Sequence, residues 1–256
     1  MARGLPRPAL AIALLAAVWP SAARPWERIE IPPDRDNTLY ESPADTPQQQ
    51  FELSNGAGDF LFVGRAGLDA GFRLRRALLH FDLSAIPAGA TVGRVELLLY
   101  QSKAAPGSPP AVLGLHRVLQ DWGEGSSEGI GAEGQGNLAT AGDATWHHRF
   151  WPDTPWAAAG GSYAEAASSS VTVGQALLGF TWPCTVALLN DVQSWLDAPG
   201  SNYGWILVGG EAAGFSAHRF NSRENFVPAE RPLLRVTYLP ADTLMSDGFE
   251  DPASCE

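Results

Sequence analysis

RVELLLY, Arg94 to Tyr100, decides the fold: Val95, Leu97 and Leu99 alternate with Glu96, Leu98 and Tyr100. A period of two puts one apolar row on a buried face and a mixed row on the other, the pattern of a strand packed on one side. Working outward, DFLFVGR (59–65), RALLHFDL (76–83), AVLGLHRVL (111–119), SSVTVG (169–174), YGWILVGG (203–210), AHRFNSRE (217–224) and PLLRVTYL (232–239) read as further strands. The 27 glycines and 20 prolines punctuate these runs at irregular intervals. At least eight short strands so punctuated predict an all-β, jelly-roll-like β-sandwich. One short helix is expected in NDVQSWLDAPG (190–200), capped by Asn190 with Gln193 three residues on and stopped by Pro199-Gly200. The glycine-rich stretch from Gly123 to Gly142 has hardly any apolar side chain and predicts a long surface loop.

The two ends read differently from this middle. Arg3 and Arg7, the apolar run Ala9 to Val18 and the small residues Ser21, Ala22 and Ala23 have the form of a secretory signal over residues 1–23. That leaves one domain over 24–239 and an acidic tail over 240–256, expected to lie outside the fold. The apolar run is about half of what a membrane span needs, and no later stretch is long enough, so an exported product without a transmembrane segment is expected. Losing the signal leaves 15 basic residues against 28 acidic, a net charge of about −13. With one lysine, Lys103, and no basic stripe beyond Arg73, Arg75 and Arg76, nucleic acid is excluded as a partner. Nothing in the chain specifies an oligomeric state. Export permits a disulfide between Cys184 and Cys255, whose spacing fits neither CxxC nor a zinc site.

Several patterns invite a chemical reading. GIGAEG (129–134) formally matches GxGxxG, but no strand precedes it and no helix follows, so no nucleotide site is implied. Adjacent His147 and His148 point to opposite faces of an extended chain and cannot easily share a ligand. Asp121, Glu124, Asp143, Asp153, Glu211 and Glu224 offer carboxylates for glycoside hydrolysis, which needs two at a fixed separation; a solvated acidic surface explains them as well. In PPDRDNTLYE (32–41), Asp34, Asp36 and Asn37 offer hard oxygen ligands for a structural calcium. Arg219 and Arg223, four apart in a strand, should share a face and either pair with an acid or hold a ligand carboxylate. Of the eight tryptophans after the signal, Trp195 and Trp205 read as core, and Trp122 and Trp146 as a satellite cluster. Trp151 and Trp156, set among Pro152, Asp153 and Pro155 beside Arg149, offer flat faces for a sugar ring with charged groups for its hydroxyls. The alternative is that these two rings also close the core.

Taken in order, DNTLYE (36–41), SNGAGDFLFVGR (54–65), RRALLHFDLSAIPAGATV (75–92), DWGEGSSEG (121–129), GDATWHHRF (142–150), DVQSWLDAPGSNYGWILVGGE (191–211), RFNSRE (219–224) and RPLLRVTY (231–238) resemble the DNRLRE-domain proteins. These are exported bacterial β-sandwiches similar to the family 96 carbohydrate-binding modules. The resemblance implies a jelly roll and recognition of a polysaccharide or cell-surface glycan, and it brings no catalytic set. Ser162 stands where that pattern commonly has an aspartate, and the strongly negative charge makes uronate-rich polymers an unnatural default. The expectation is therefore an exported, non-catalytic glycan-binding protein. A structural or surface-assembly protein of the same fold and a carboxylate-dependent hydrolase are its rivals.

Overall fold

The computed structural model describes residues 26–41 and 52–241, with Met1 and Cys255 as single positions. The expected signal at 1–23 and nearly all of the expected tail lie outside the described residues. The described residues form fifteen strands in order: β1 (Glu27–Ile31), β2 (Arg35–Tyr40), β3 (Leu53–Ser54), β4 (Phe60–Arg65), β5 (Leu74–His80), β6 (Thr91–Ala104), β7 (Ala111–Arg117), β8 (Asn137–Leu138), β9 (His148–Phe150), β10 (Thr154–Pro155), β11 (Ser169–Val173), β12 (Gly179–Trp182), β13 (Trp205–Gly209), β14 (His218–Asn221) and β15 (Leu233–Leu239). Among the described residues a single α-helix, α1 (Val186–Asp197), lies between β12 and β13.

An eleven-stranded antiparallel sheet runs β1-β15-β6-β14-β4-β5-β13-β7-β11, with β12 added on β6 and β2 added on β5. It curls on itself, because β4 changes partner within six residues: Phe60 to Val63 pair with β14, whereas Gly64 and Arg65 pair with β5. The corner needs a glycine, since Gly64 has φ +113° and a Cβ there would lie 2.5 Å from the Ser216 carbonyl oxygen. The β1-β15-β6-β14-β4 layer therefore faces the β2-β5-β13-β7-β11 layer, giving an all-β sandwich. Val95, Leu97 and Leu99 of β6 point inward and are buried, while Glu96, Leu98 and Tyr100 stay half-exposed. They meet Leu61 and Val63 of β4, Ala77 and Leu79 of β5, Leu113 and Leu115 of β7, Trp205 and Leu207 of β13 and Leu234 and Val236 of β15.

The helix closes one end of this core with Leu188, Val192 and Trp195, whose ring lies 4.5 Å from that of Trp205. It begins a turn before the expected Asn190. The Thr185 side chain accepts the Leu188 N–H and caps the first turn, so Asn190 is already helical. Cys184, just before that cap, is bonded to Cys255. At least one residue of the expected tail is thus joined to the domain. No helix among the described residues is long and apolar enough to cross a membrane.

Candidate functional site

The outer face of the β2-β5-β13 layer is not solvated. Leu39, Leu78 and Ile206 project from it into a second apolar cluster completed by Val118, Trp122, Ala144, Trp146 and Trp156. The chain between β7 and β11 thus covers that face as an irregular lid. Arg76 clamps it: the guanidinium lies over the rings of Trp146 and Tyr163 and pairs bidentately with Glu211 at 2.7 and 3.1 Å.

Polar side chains, not periodicity, hold the lid in place. Asn37, fully buried in β2, accepts from the amides of Thr38 and Asn55 and donates to the Glu124 carbonyl at 2.8 Å. Asp143 pins the two ends of the glycine-rich stretch by accepting from Ser126 N at 2.8 Å and Thr140 N at 2.7 Å. Glu133 accepts from Asn55 Nδ2 and from the amides of Asp59 and Phe60, although burial raises its pKa. The stretch expected to be a surface loop therefore carries buried anchors, and β8 within it pairs with β3. The Glu124 position is especially fixed. A Cβ on Gly123 would lie 1.9 Å from the Gly142 carbonyl oxygen, and one on Gly125, at φ +77°, 1.3 Å from Asp143 Oδ1.

These anchors present a cluster of acids. Asp36, Glu124 and Glu224 each bring a carboxylate oxygen within 4.8 Å of the other two. Asp36 is fully buried; its Oδ2 accepts the Arg223 amide at 2.8 Å, and its own amide donates to Glu124 Oε1 at 2.8 Å. Arg223 Nη1 lies 3.2 Å from both Glu124 oxygens and bonds Glu224 Oε1. Burial, then the neighbouring Glu224 charge, pushes the Asp36 carboxyl well above the usual carboxylate range. Burial likewise raises Glu124, and it raises Glu224 to about 7 despite the opposing Arg223 charge. Asp36 Oδ1 and Glu224 Oε2 are buried without a hydrogen-bond partner.

Beside the cluster runs a row of half-exposed groups. Arg35 Nη2 pairs with Asp121 at 2.8 Å, its Nη1 donates to the Trp122 carbonyl, and its guanidinium lies 4.7 Å from the Trp122 ring centroid. Arg149 Nη1 donates to the Asp121 carbonyl at 3.1 Å and stacks on Phe150, and half-buried Trp151 follows in the β9–β10 hairpin.

The residues singled out in the sequence part company here. Trp156 is only 6% exposed and its indole N–H donates to the Thr145 carbonyl, so it cannot present a face to a sugar; Trp122 and Trp146 are buried with it. Arg149, Trp151 and exposed Asp153 do share the hairpin. Arg219 and Arg223 do not share a strand face, because β14 ends at Asn221: Arg219 lies over Phe60 and donates to Ser102, while Arg223 turns to the acids. Asp34, Asp36 and Asn37 are likewise separated. Asp34 pairs with His80, Asn37 is spent on the lid, and only Asp36 joins the cluster. Glu124 and Glu224, read above as candidate hydrolytic carboxylates or solvated surface acids, belong to that cluster. His147 engages Glu52, and the Nδ1 of His148 is buried without a partner. No family model matches the chain, and no curated protein matches it.

Proposed function

We propose that this is an exported, non-catalytic β-sandwich that binds a polysaccharide or cell-surface glycan on the lid side of the sandwich. The observation that carries the reading is the row Arg35, Asp121, Arg149, Phe150 and Trp151. It pairs half-exposed aromatic faces with guanidinium and carboxylate groups already fixed by hydrogen bonds, the combination that orients a ring and its hydroxyls. Its groups need little ordering on binding, which favours affinity from a small contact. The resemblance of DWGEGSSEG and GDATWHHRF to the DNRLRE pattern supports the same side of the molecule.

Arg223 contacts both Glu124 and Glu224, so a guanidinium lies where hydrolysis would need a substrate oxygen or water between two acids. A non-catalytic role is the simpler reading of that geometry. The burial of Trp122, Trp146 and Trp156 favours a second reading, a surface-assembly protein whose lid serves only packing.

A glycan array followed by affinity electrophoresis separates them. Binding predicts at least a tenfold loss of retention in Trp151→Ala and Arg149→Ala with the melting temperature held within a few degrees. Retention on no polymer supports the packing role, and retention unchanged in both variants rules out the Arg149–Trp151 row as the glycan site. Release of reducing ends, abolished by Glu224→Gln, would establish an enzyme.

A further inference from the structure

We propose that Asp36, Glu124 and Glu224 form a binding site for one hard divalent cation of calcium's size. The acids alone would not carry this; the two orphan oxygens do. In Asp36 one oxygen is committed to the Arg223 amide and in Glu224 one is committed to the Arg223 guanidinium, leaving Asp36 Oδ1 and Glu224 Oε2 buried with nothing to accept from. Asp36 is 0% exposed, so bulk solvent does not reach it. A buried acceptor left unmade is destabilising, and like charges packed together add to that. With all three carboxylates ionised, the state a bound cation would hold them in, the single Arg223 guanidinium leaves two negative charges over, the charge a divalent cation carries.

The geometry suits the ion as well. Oxygens within 4.8 Å of one another can be bridged by a cation that binds oxygen at about 2.3–2.6 Å, and calcium tolerates irregular sets completed by carbonyls or water. Magnesium, with bonds of about 2.0–2.1 Å and a strict octahedron, fits this span less well. The three ligands come from β2, the glycine-rich lid and the turn after β14, so a bound ion would tie the lid to both layers of the sandwich. This inference does not rest on glycan binding, and it places the ion on a different set from the Asp34, Asp36 and Asn37 expected from sequence.

The full chain, stripped with EDTA and exchanged into metal-free buffer, is titrated with calcium chloride by calorimetry and followed by thermal denaturation. One site per chain is expected, with a rise in Tm of about 5 °C or more at a hundredfold excess over Kd and a smaller rise with magnesium. Glu224→Gln and Glu124→Gln should each weaken calcium at least tenfold, and Asp36→Asn should abolish it. Terbium luminescence excited through the tryptophans, and reversed by calcium, reads binding without reference to stability. If Asp36→Asn does not fold, the two glutamine variants decide the matter. No heat and no terbium signal at millimolar ion, or a calcium response unchanged in both glutamine variants, would overturn the proposal.

Discussion

The β2-β5-β13 layer is buried on both faces, and its two faces are built on different principles. On the inner face Ala77, Leu79, Trp205 and Leu207 meet the apolar rows of the opposite sheet, and alternation along each strand is enough to specify the contact. On the outer face Leu39, Leu78 and Ile206 meet chain without regular structure, whose position depends on Asn37, Asp143 and Glu133 accepting and donating at fixed points. Hydrophobic burial is non-directional, so it can drive the lid down but cannot choose where the chain runs. Hydrogen bonds to buried amides and carbonyls can, because leaving any of them unmade is costly.

The comparison breaks most visibly at the inner face. Trp205→Ala removes the largest ring shared by the helix and the sheets and should destabilise the whole domain by about 3–5 kcal/mol in urea denaturation, with one cooperative transition. Cys184→Ser removes the cross-link to Cys255, which closes a loop across 71 positions, and should lower stability by about 2–4 kcal/mol relative to the oxidised protein. Asn37→Ala acts on the outer face and strips partners from the Glu124 carbonyl and the Asn55 amide. A loss of about 1–3 kcal/mol is expected, and hydrogen exchange should show the 123–142 amides opening before the inner strands. A global rather than local increase in exchange would mean that the two faces are one cooperative unit. Trp151→Ala should change stability least, by no more than about 0.5–1 kcal/mol in the same urea denaturation, since the ring belongs to neither apolar cluster.

That contrast also explains what could be read from the chain. The strand at 94–100 and its neighbours were legible because one-sided burial writes a period of two into local sequence, and the sandwich follows from eight such strands. Strand β2 was not, for the opposite reason: Asp36, Asn37, Thr38, Leu39 and Tyr40 are all buried, so no polar row marks it. Its carboxylate and amide read as calcium ligands, whereas Asn37 is spent on the lid from a buried strand paired, among the described residues, only with β5. The stretch 143–156 suggested exposed stacking platforms because prolines and aspartates surround the rings; Trp156 is buried because the β9–β10 hairpin folds it back over Thr145. Helix α1 was placed by its apolar spacing but started late, since Thr185 caps through one hydroxyl contact that no periodicity records. The acid cluster was least legible of all. Its members are brought together only by β2 crossing beside the lid and by the turn that follows β14, and no local spacing connects positions 36, 124 and 224.

The bond between Cys184 and Cys255 has a practical corollary for handling this protein. A protease that nicks the backbone once at any point between those two positions yields fragments that stay covalently attached. Such a molecule runs as one band on a non-reducing gel and as two after reduction, so an undivided band under oxidising conditions is no proof of an unbroken backbone.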